Sequence, residues 1–397
     1  MTKWQVTRLD QCARIVGGST PKTSVKDYWD GEIYWATPKD LSNLESPNLE
    51  GTPRRITKAG LDSCGAEVLP EGSVLFSSRA PIGHVAINCV PMATNQGFKS
   101  FVPDPEKLDA KFLYYWLRKN RTFFNSLGNG ATFKEVSKAI VSRIEIPLPP
   151  IAQQKRIAAI LDRAEELRSL RRQALGALDA IAQSIFLEMF GDPATNPKGW
   201  EVKSMDECAE KIQIGPFGTQ LHEEDYIDDG IPSINPTHIQ GGKIFPNKSF
   251  SVSIEKYKQL SQYHLETHDV ILGRRGEMGR CAIVSEIENG WLCGTGSLFM
   301  RPKHSLLKSG YLFSFLSSKS IKQYLERASQ GVTMANLNKT IVSQIPVLVP
   351  SIELQQEFVQ RVEAIEQLKA THRESLAQLD ALFASLQHRA FRGELSP

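Results

Sequence analysis

Three clusters hold residue types that catalysis uses. Asn235-Pro-Thr-His238 approaches the Asn/Asp-Pro-Pro-aromatic tetrapeptide with which an adenine methyltransferase grips a flipped base, and Gly294-Thr-Gly296 approaches a glycine-rich cofactor loop. The first lacks the second proline and the stacking aromatic, and the second lacks a preceding strand-to-helix turn of the dinucleotide type. Pro103-Asp104 with Asp109-Ala-Lys111 mimics the acid-acid-lysine set of a metal nuclease, but its spacing is short, and a surface turn before a helix explains it better. The chain contains no G-x-x-x-x-G-K-[ST] loop. His222, His238, His264 and His268 lack metal-ligand spacing, and the six cysteines (Cys12, Cys64, Cys89, Cys208, Cys281, Cys293) form no C-x-x-C pair. We therefore expect no catalytic or metal-binding residue on this chain, and buried, reduced thiols.

What remains is a set of polar and cationic loop residues, and these need elements to position them. The chain has 397 residues, enough for two or three domains. A formal net charge of +3 permits a nucleic-acid partner without arguing for one. Neither a signal-peptide pattern at Met1-Thr-Lys-Trp nor an apolar run approaching the roughly 20 residues of a membrane helix is present, so a cytoplasmic protein without a membrane partner is expected.

The organising signal is an internal repeat. Trp4-Gln-Val6 and Leu9-Asp10-Gln-Cys12-Ala13 lie on Trp200-Glu-Val202 and Met205-Asp206-Glu-Cys208-Ala209, offset by 196 residues. At the same offset, Arg79, Gly83 and Ala86-Ile87 lie on Arg275, Gly279 and Ala282-Ile283. Gly130-Ala-Thr132 and Lys138-Ala-Ile140-Val-Ser142 match Gly331-Val-Thr333 and Lys339-Thr-Ile341-Val-Ser343, the offset having drifted to 201. Each copy closes in a proline-rich hinge, Ile146-Pro-Leu-Pro-Pro150 or Ile345-Pro-Val-Leu-Val-Pro350, followed by Gln-Gln and a long proline-free segment.

Those segments read as helices. Ile157, Ile160, Ala164, Leu167, Ala174, Leu178, Ile181 and Ile185 recur at steps near three and four, interrupted at Arg171 and stopped by Gly191-Asp-Pro193. Phe358, Val362, Ile365, Leu368, Leu376, Leu379, Phe383 and Leu386 form a second seam, ended at Arg392-Gly393. A helix of roughly 38 residues is about 57 Å long, and two of them in one chain most simply pack on each other. Antiparallel pairing would place the two globular copies about an approximate two-fold axis, and the helices would act as a ruler. The copies read as mixed: strands at Ser73–Phe76, Val85–Ile87, Val270–Leu272 and Cys281–Val284, with one amphipathic helix each, Lys111–Lys119 and Gly310–Arg327.

A duplicated unit with a Trp-x-Val start, a Gly-x-Thr turn region, a proline-rich exit, Gln-Gln and a long heptad helix resembles the specificity (S) subunit of type I restriction-modification systems over essentially the whole chain. The resemblance implies an α+β fold: two tandem-repeated mixed α/β target recognition domains (1–150 and 193–350), joined and separated by two long antiparallel coiled-coil spacer helices (151–192 and 351–397), with pseudo-two-fold symmetry. It implies a non-catalytic DNA-binding subunit that reads a bipartite asymmetric target in double-stranded DNA and scaffolds two adenine-N6 methyltransferase (modification) subunits, with restriction subunits where cleavage accompanies modification. No cofactor is expected on this chain; S-adenosylmethionine is expected on the partner modification subunit.

A reader needs Arg, Asn, Gln and Lys on loops for base edges and further polar groups for phosphates. In the first copy we select Thr37, Lys39, Ser77, Ser78, Arg79, Asn95, Gln96, Asn129 and Thr132. In the second we select Asn235, His238, Arg274, Arg275, Thr295, Gln330 and Thr333. Arg79 and Arg275 share one repeat position beside a strand end; a shared structural role, as salt bridge or carbonyl cap, competes with a contact role there. A coiled-coil scaffold for other proteins, without DNA specificity, is the alternative reading of the whole chain, and a stand-alone methyltransferase is opposed by the missing motifs.

Overall fold

The computed structural model describes residues 4–42, 44, 46–79, 81–128, 134–329 and 336–395. The chain divides into two compact units, 1–173 with 373–397 and 174–372. Each unit therefore holds one globular copy together with part of both long helices, Ile151–Phe190 and Ile352–Ala390.

In the first unit the strand Val74–Phe76 is central: it pairs with Lys99–Pro103 on one side and Val85–Asn88 on the other. Ala13–Gly17 extends this antiparallel ladder, and the short strand Asn48–Leu49 adds a parallel edge. Val74, Leu75 and Phe76 are all fully buried, which an alternating strand with one wet face would not be. Successive side chains point to opposite faces, so Val74 and Phe76 join a core with Ile15, Phe101, Phe112 and Phe124, while Leu75 joins another with Val16, Ala86 and Phe98. The second copy repeats this: Val270 and Leu272 enter a core with Met300, Tyr311 and Phe315, and Ile271 enters one with Ala282 and Phe299.

The proline-rich exits are strands as well as boundaries. Glu145–Pro147 runs antiparallel to Val6–Arg8, and Pro346–Val349 to Glu201–Ser204, so the start and the end of each copy are zipped together. Proline is tolerated because two-stranded ribbons leave an edge where no N–H is required. The first predicted amphipathic helix is present as Ala110–Lys119, capped by the Asp109 carboxylate, which accepts from Phe112 N at 2.9 Å. The second is corrected: it is two helices, Ser309–Ser317 and Lys319–Ala328, because Ser318 leaves the helical conformation and its hydroxyl caps the second at Ile321 N. The expectation for the cysteines is also adjusted: all six are free, but Cys64 and Cys89 are only partly buried.

The long helices start from a fixed point. Gln154, fully buried, accepts from Asp109 N at 2.9 Å and donates to Lys107 O at 2.7 Å and Pro149 O at 2.8 Å. Gln355, equally buried, does the same with Lys308 N (2.8 Å), Leu306 O (2.8 Å) and Pro350 O (2.9 Å). From there Ile157, Leu161 and Ala164 are buried in the first unit, where Phe383, Ala390 and Phe391 of the other long helix and its end join the same core. Within the second unit Phe186, Met189 and Phe190 pack with Phe358. The seam is thus partly redrawn: Leu167 (39% exposed), Ile181 (46%) and Leu368 (53%) are not core residues, whereas Leu161, Phe186 and Phe190 are. Gly191 and Gly393, at φ of 80° and 74°, lie just past the ends of the two helices. Among the described residues no helix is long and apolar enough to cross a membrane.

Replacing Gln154 by Ala leaves the Asp109 N–H and the Lys107 and Pro149 carbonyls without their partner, the bond to Pro149 being the buried one. We expect the first unit to lose roughly 1–3 kcal/mol for each group left unpaired, read as a lower urea midpoint. An unchanged midpoint would show that water replaces the amide at no cost.

Candidate nucleic-acid interface

Both copies bring the same four segments together, beginning with a pair of parallel strands. Trp29–Ala36 runs parallel to Met92–Thr94, and Ile231–Ile234 runs parallel to Leu292–Cys293. Their carboxyl ends deliver the first two segments, Thr37-Pro-Lys-Asp40 with Asn95-Gln-Gly97, and Asn235-Pro-Thr-His238 with Gly294-Thr-Gly296. The central hairpins supply the third, Ser77–Arg79 and Gly273–Arg275. The fourth is docked by Val136 N, which donates to Ser78 O (2.9 Å), and Leu337 N, which donates to Arg274 O (2.9 Å).

The crossing is tight. Ser78 N and Arg79 N donate to Gly97 O at 2.7 and 3.3 Å, and Arg274 N donates to Gly296 O at 3.0 Å. Gly18 and Gly215 lie beneath: a Cβ would come within 2.0 Å of Asn95 O in the first copy and 1.9 Å of Gly294 O in the second, so no other residue fits either position. Both first segments are self-capped turns. Asp40 accepts from Thr37 N (2.7 Å) and Thr37 Oγ1 (2.8 Å), and His238 Nδ1 accepts from Asn235 N (3.2 Å). Repetition of a Pro-containing tetrapeptide at an offset of 198, close to the 196 of the matched segments on either side, is the sequence signal that would have paired these turns.

In the first copy the segments surround an open cavity of about 410 Å³ lined by Thr37, Lys39, Arg79, Asn95 and Gln96, five of the residues selected from sequence. Lys39 and Gln96 are exposed, and the Asn95 carbonyl oxygen accepts from Gly97 N at 2.9 Å, leaving its amide NH₂ for a ligand. Four selected residues have other work. Ser77 and Ser78 are fully buried, their hydroxyls donating to Pro81 O (2.7 Å) and Gly97 O (3.1 Å). His238 and Arg274 are 5% exposed, and Arg274 Nε donates to Asn336 Oδ1 at 3.0 Å. These four shape the loops and do not present their polar ends at the surface. Thr295 is half-buried, and Asn235 Oδ1 accepts from Gly296 N at 3.1 Å. Asn129, Thr132, Gln330 and Thr333 lie outside the described residues.

The two arginines at the shared repeat position part company. Arg79 Nε donates to Glu135 at 2.8 Å, and Lys99 Nζ reaches the other carboxylate oxygen at 3.1 Å. Burial alone would raise the Glu135 carboxyl, but the bonds from Arg79 and Lys99 outweigh it and hold the group below its ordinary value. In the second copy Asn336 stands opposite Arg275, as Glu135 stands opposite Arg79. Carrying no charge, Asn336 takes Arg274 instead, and Arg275 is exposed, with no side-chain hydrogen bond or ion pair among the described residues. Glu135 and Asn336 were missed from sequence because they follow the matched Gly-x-Thr by different side chains. Among the described residues no three His, Cys, Asp or Glu side chains are grouped to hold a metal ion.

A family model described as the type I restriction modification DNA specificity domain matches residues 1–177 and again 197–381. The MjaIX type I specificity subunit of Methanocaldococcus jannaschii is 27% identical over 413 residues, spanning 99% of this chain and 93% of the relative. The Escherichia coli EcoBI specificity subunit is 25% identical, spanning 86% and 79%. Among solved structures, the S subunit from M. genitalium aligns with a TM-score of 0.56 at 16% identity, over 98% of this chain and 96% of its own. A chain from a study of complex assembly and conformational transition in the type I R-M system aligns with a TM-score of 0.61 at 21% identity, over 100% and 99%. At these identities the structural likeness is one of fold.

Burial pushes the His238 imidazole below its ordinary value, against a backbone hydrogen bond at Ser233 that raises it. With the folded value below the unfolded one of about 6.5, the folded state binds fewer protons, so the Asn235 cap is intact above that pH and weakens as pH falls through the folded value. Hydrogen-exchange protection of the Asn235 amide should drop in that acid range and lose this dependence in His238→Gln. The same acid profile in the variant would assign the effect elsewhere.

Proposed function

The chain belongs to the type I restriction modification DNA specificity domain family, and from that premise we propose that it reads a bipartite, asymmetric target in double-stranded DNA for two adenine-N6 methyltransferase subunits. The family is one of DNA specificity, a non-catalytic role. The observation that carries the bipartite reading is the pair of four-segment crossings. They share backbone architecture and differ at nearly every outward position: Lys39 against Thr237, Gln96 against Thr295, and a paired Arg79 against an exposed Arg275. One scaffold with two unlike linings suits a target with two unlike halves, because base-edge readout depends on side-chain donors and acceptors.

In this reading residues 1–150 and 193–350 are the recognition domains, and 151–192 and 351–397 are antiparallel coiled-coil spacers about a pseudo-two-fold axis. Support comes from ion pairs inside each unit: Arg168 to Asp380 (2.6 Å) in the first and Lys369 to Asp179 (2.6 Å) in the second. Each pair is the other shifted by 201 positions with the two helices exchanged. Leu170, Leu187 and Leu382 are 50% exposed or more on the same helices, which suits docking of further protein chains. S-adenosylmethionine would be held by the modification subunits, with restriction subunits joining where the system cleaves.

Arg275 is the side chain best placed to reach DNA. Arg275→Ala should lower specific affinity by about 1–3 kcal/mol, while Arg79→Ala, which breaks an internal ion pair, should cost less affinity. Equal losses with an unchanged fold would return Arg79 to the contact surface.

The defining test mixes the purified chain with its candidate modification subunit, S-adenosylmethionine and genomic DNA, and maps N6-methyladenine by long-read sequencing. One split motif made only by the mixture is expected; methylation by the chain alone, or none with a competent partner, would overturn the reading. Deleting four residues from each long helix should change the unread gap in that motif, and an unaltered gap would rule out the ruler.

A further inference from the structure

The first unit holds a second cavity, apart from the one between the recognition loops. About 540 Å³ in volume, it opens where the first long helix passes the hairpin turn at Gly83-His84 and the helices that follow Asp109. Its wall carries three guanidinium groups, Arg118, Arg121 and Arg172, and one carboxylate, Glu165.

That carboxylate is already engaged. Arg168 binds Glu165 at 2.6 Å and Asp380 at 2.6 Å, so Arg118 is left 3.8 Å from Glu165, and Arg172 is left 3.6 Å from Glu165 and 3.7 Å from Asp380. Those separations are too long for hydrogen bonds. Among the described residues Arg121 has no acid partner: its Nη2 contacts His84 Nε2 at 3.1 Å, and burial first, then the charge of Arg121, press the His84 imidazole toward its neutral form against a backbone bond at Leu41. Among the described residues four guanidiniums therefore face two carboxylates, and the surplus positive charge lies on the groups that line the cavity.

The second copy keeps the charge at matching positions. Lys322 lies against Gly279 as Arg121 lies against Gly83, with Lys319 at the start of the same helix, and 201 residues on Glu366 with Lys369 repeats Glu165 with Arg168. Gly83 and Gly279, at φ of 88° and 77°, let the side chains of Arg121 and Lys322 lie across the turn; a Cβ would come within 2.7 and 2.4 Å of them.

From this geometry we infer that the cavity is a phosphate-binding site, separate from the recognition loops, whose ligand is a backbone phosphate of bound duplex. The guanidinium fork matches two phosphate oxygens, and a phosphodiester brings the charge that the cavity lacks. The source of the phosphate rests on the proposed DNA-reading role; the phosphate chemistry does not. Such a site would clamp DNA to the helix without reading its sequence.

The test uses the full chain and the variants Arg121→Gln, Arg172→Gln and the double variant, with the double Lys variant as a charge-preserving control and thermal melts to verify the fold. Binding to a target duplex and to an unrelated duplex is measured across a salt series, and inorganic phosphate and AMP are titrated by calorimetry. The double Gln variant should weaken binding to both duplexes by the same factor and flatten the salt slope by about one phosphate contact or more, with the Lys variant near wild type. Calorimetric binding of AMP or phosphate that is lost in the Gln variant, with the salt slope unchanged, would keep the site but name a free ligand. An unchanged slope with no phosphate or AMP binding would overturn the inference. Failure of the wild type to prefer its target over the unrelated duplex would instead strike the recognition role, leaving both phosphate arms to decide the cavity.

Discussion

A primary amide sealed in a protein interior must have its donors and its acceptor matched, or it destabilises the site that holds it. Gln154 meets this demand with Lys107 O, Pro149 O and Asp109 N, and Gln355 with Leu306 O, Pro350 O and Lys308 N. In each case two partners come from the loop before a core helix and one from the proline-rich exit. Three covalently distant parts are thereby locked, and the rotational phase of a helix of about 40 residues is set at its first turn. Steps of three, seven and ten from Gln154 lead to Ile157, Leu161 and Ala164, and from Gln355 to Phe358, Val362 and Ile365, all on one helical face. Fourteen residues on, the same face reaches Arg168 and Lys369, the cations that cross to Asp380 and Asp179.

The recognition segments follow from a second constraint, the burial of both faces of a short central strand. With Val74 and Phe76 committed to one core and Leu75 to the other, the hairpin has no freedom to shift register, because a one-residue slip would exchange the two sets. The turn at Ser77–Arg79 is consequently presented at a fixed height beside Gly97. Polar side chains at the base of the crossing are consumed in holding it, and among the described residues Lys39 and the amide NH₂ groups of Gln96, whose oxygen accepts from Thr20 Oγ1, and of Asn95 are left for a ligand.

The repeat and the long helices were legible because they rest on spacing and residue type, which a single chain displays. Five selected residues of the first copy do line one cavity. The parts that were not legible depend on partners far away in sequence. Nothing local marks Ser77 and Ser78 as internal donors to Pro81 O and Gly97 O, since a Ser-Ser-Arg turn looks the same whether wet or dry. The break at Ser318 was hidden because apolar residues come at helical intervals on each side of it, Leu312, Phe315 and Leu316 before and Ile321 and Leu325 after. The heptad reading placed Leu167 and Leu368 in the seam because periodicity reports a face and not what covers it.

Duplication explains why the two arginines invite one interpretation and receive two. Equivalent backbone positions guarantee equivalent directions at Arg79 and Arg275, but the fate of each guanidinium is decided by the residue opposite. Glu135 offers a full charge and draws in both Arg79 and Lys99, while Asn336 offers a neutral carbonyl that the neighbouring Arg274 satisfies from within. A single carboxylate-to-amide difference thus separates a copy whose arginine is ion-paired from one whose arginine is exposed without an ion pair among the described residues. Divergence of a recognition surface on a fixed scaffold needs no change in the strands, the glycines beneath them or the buried glutamines, because the selecting charge sits one layer above all of these.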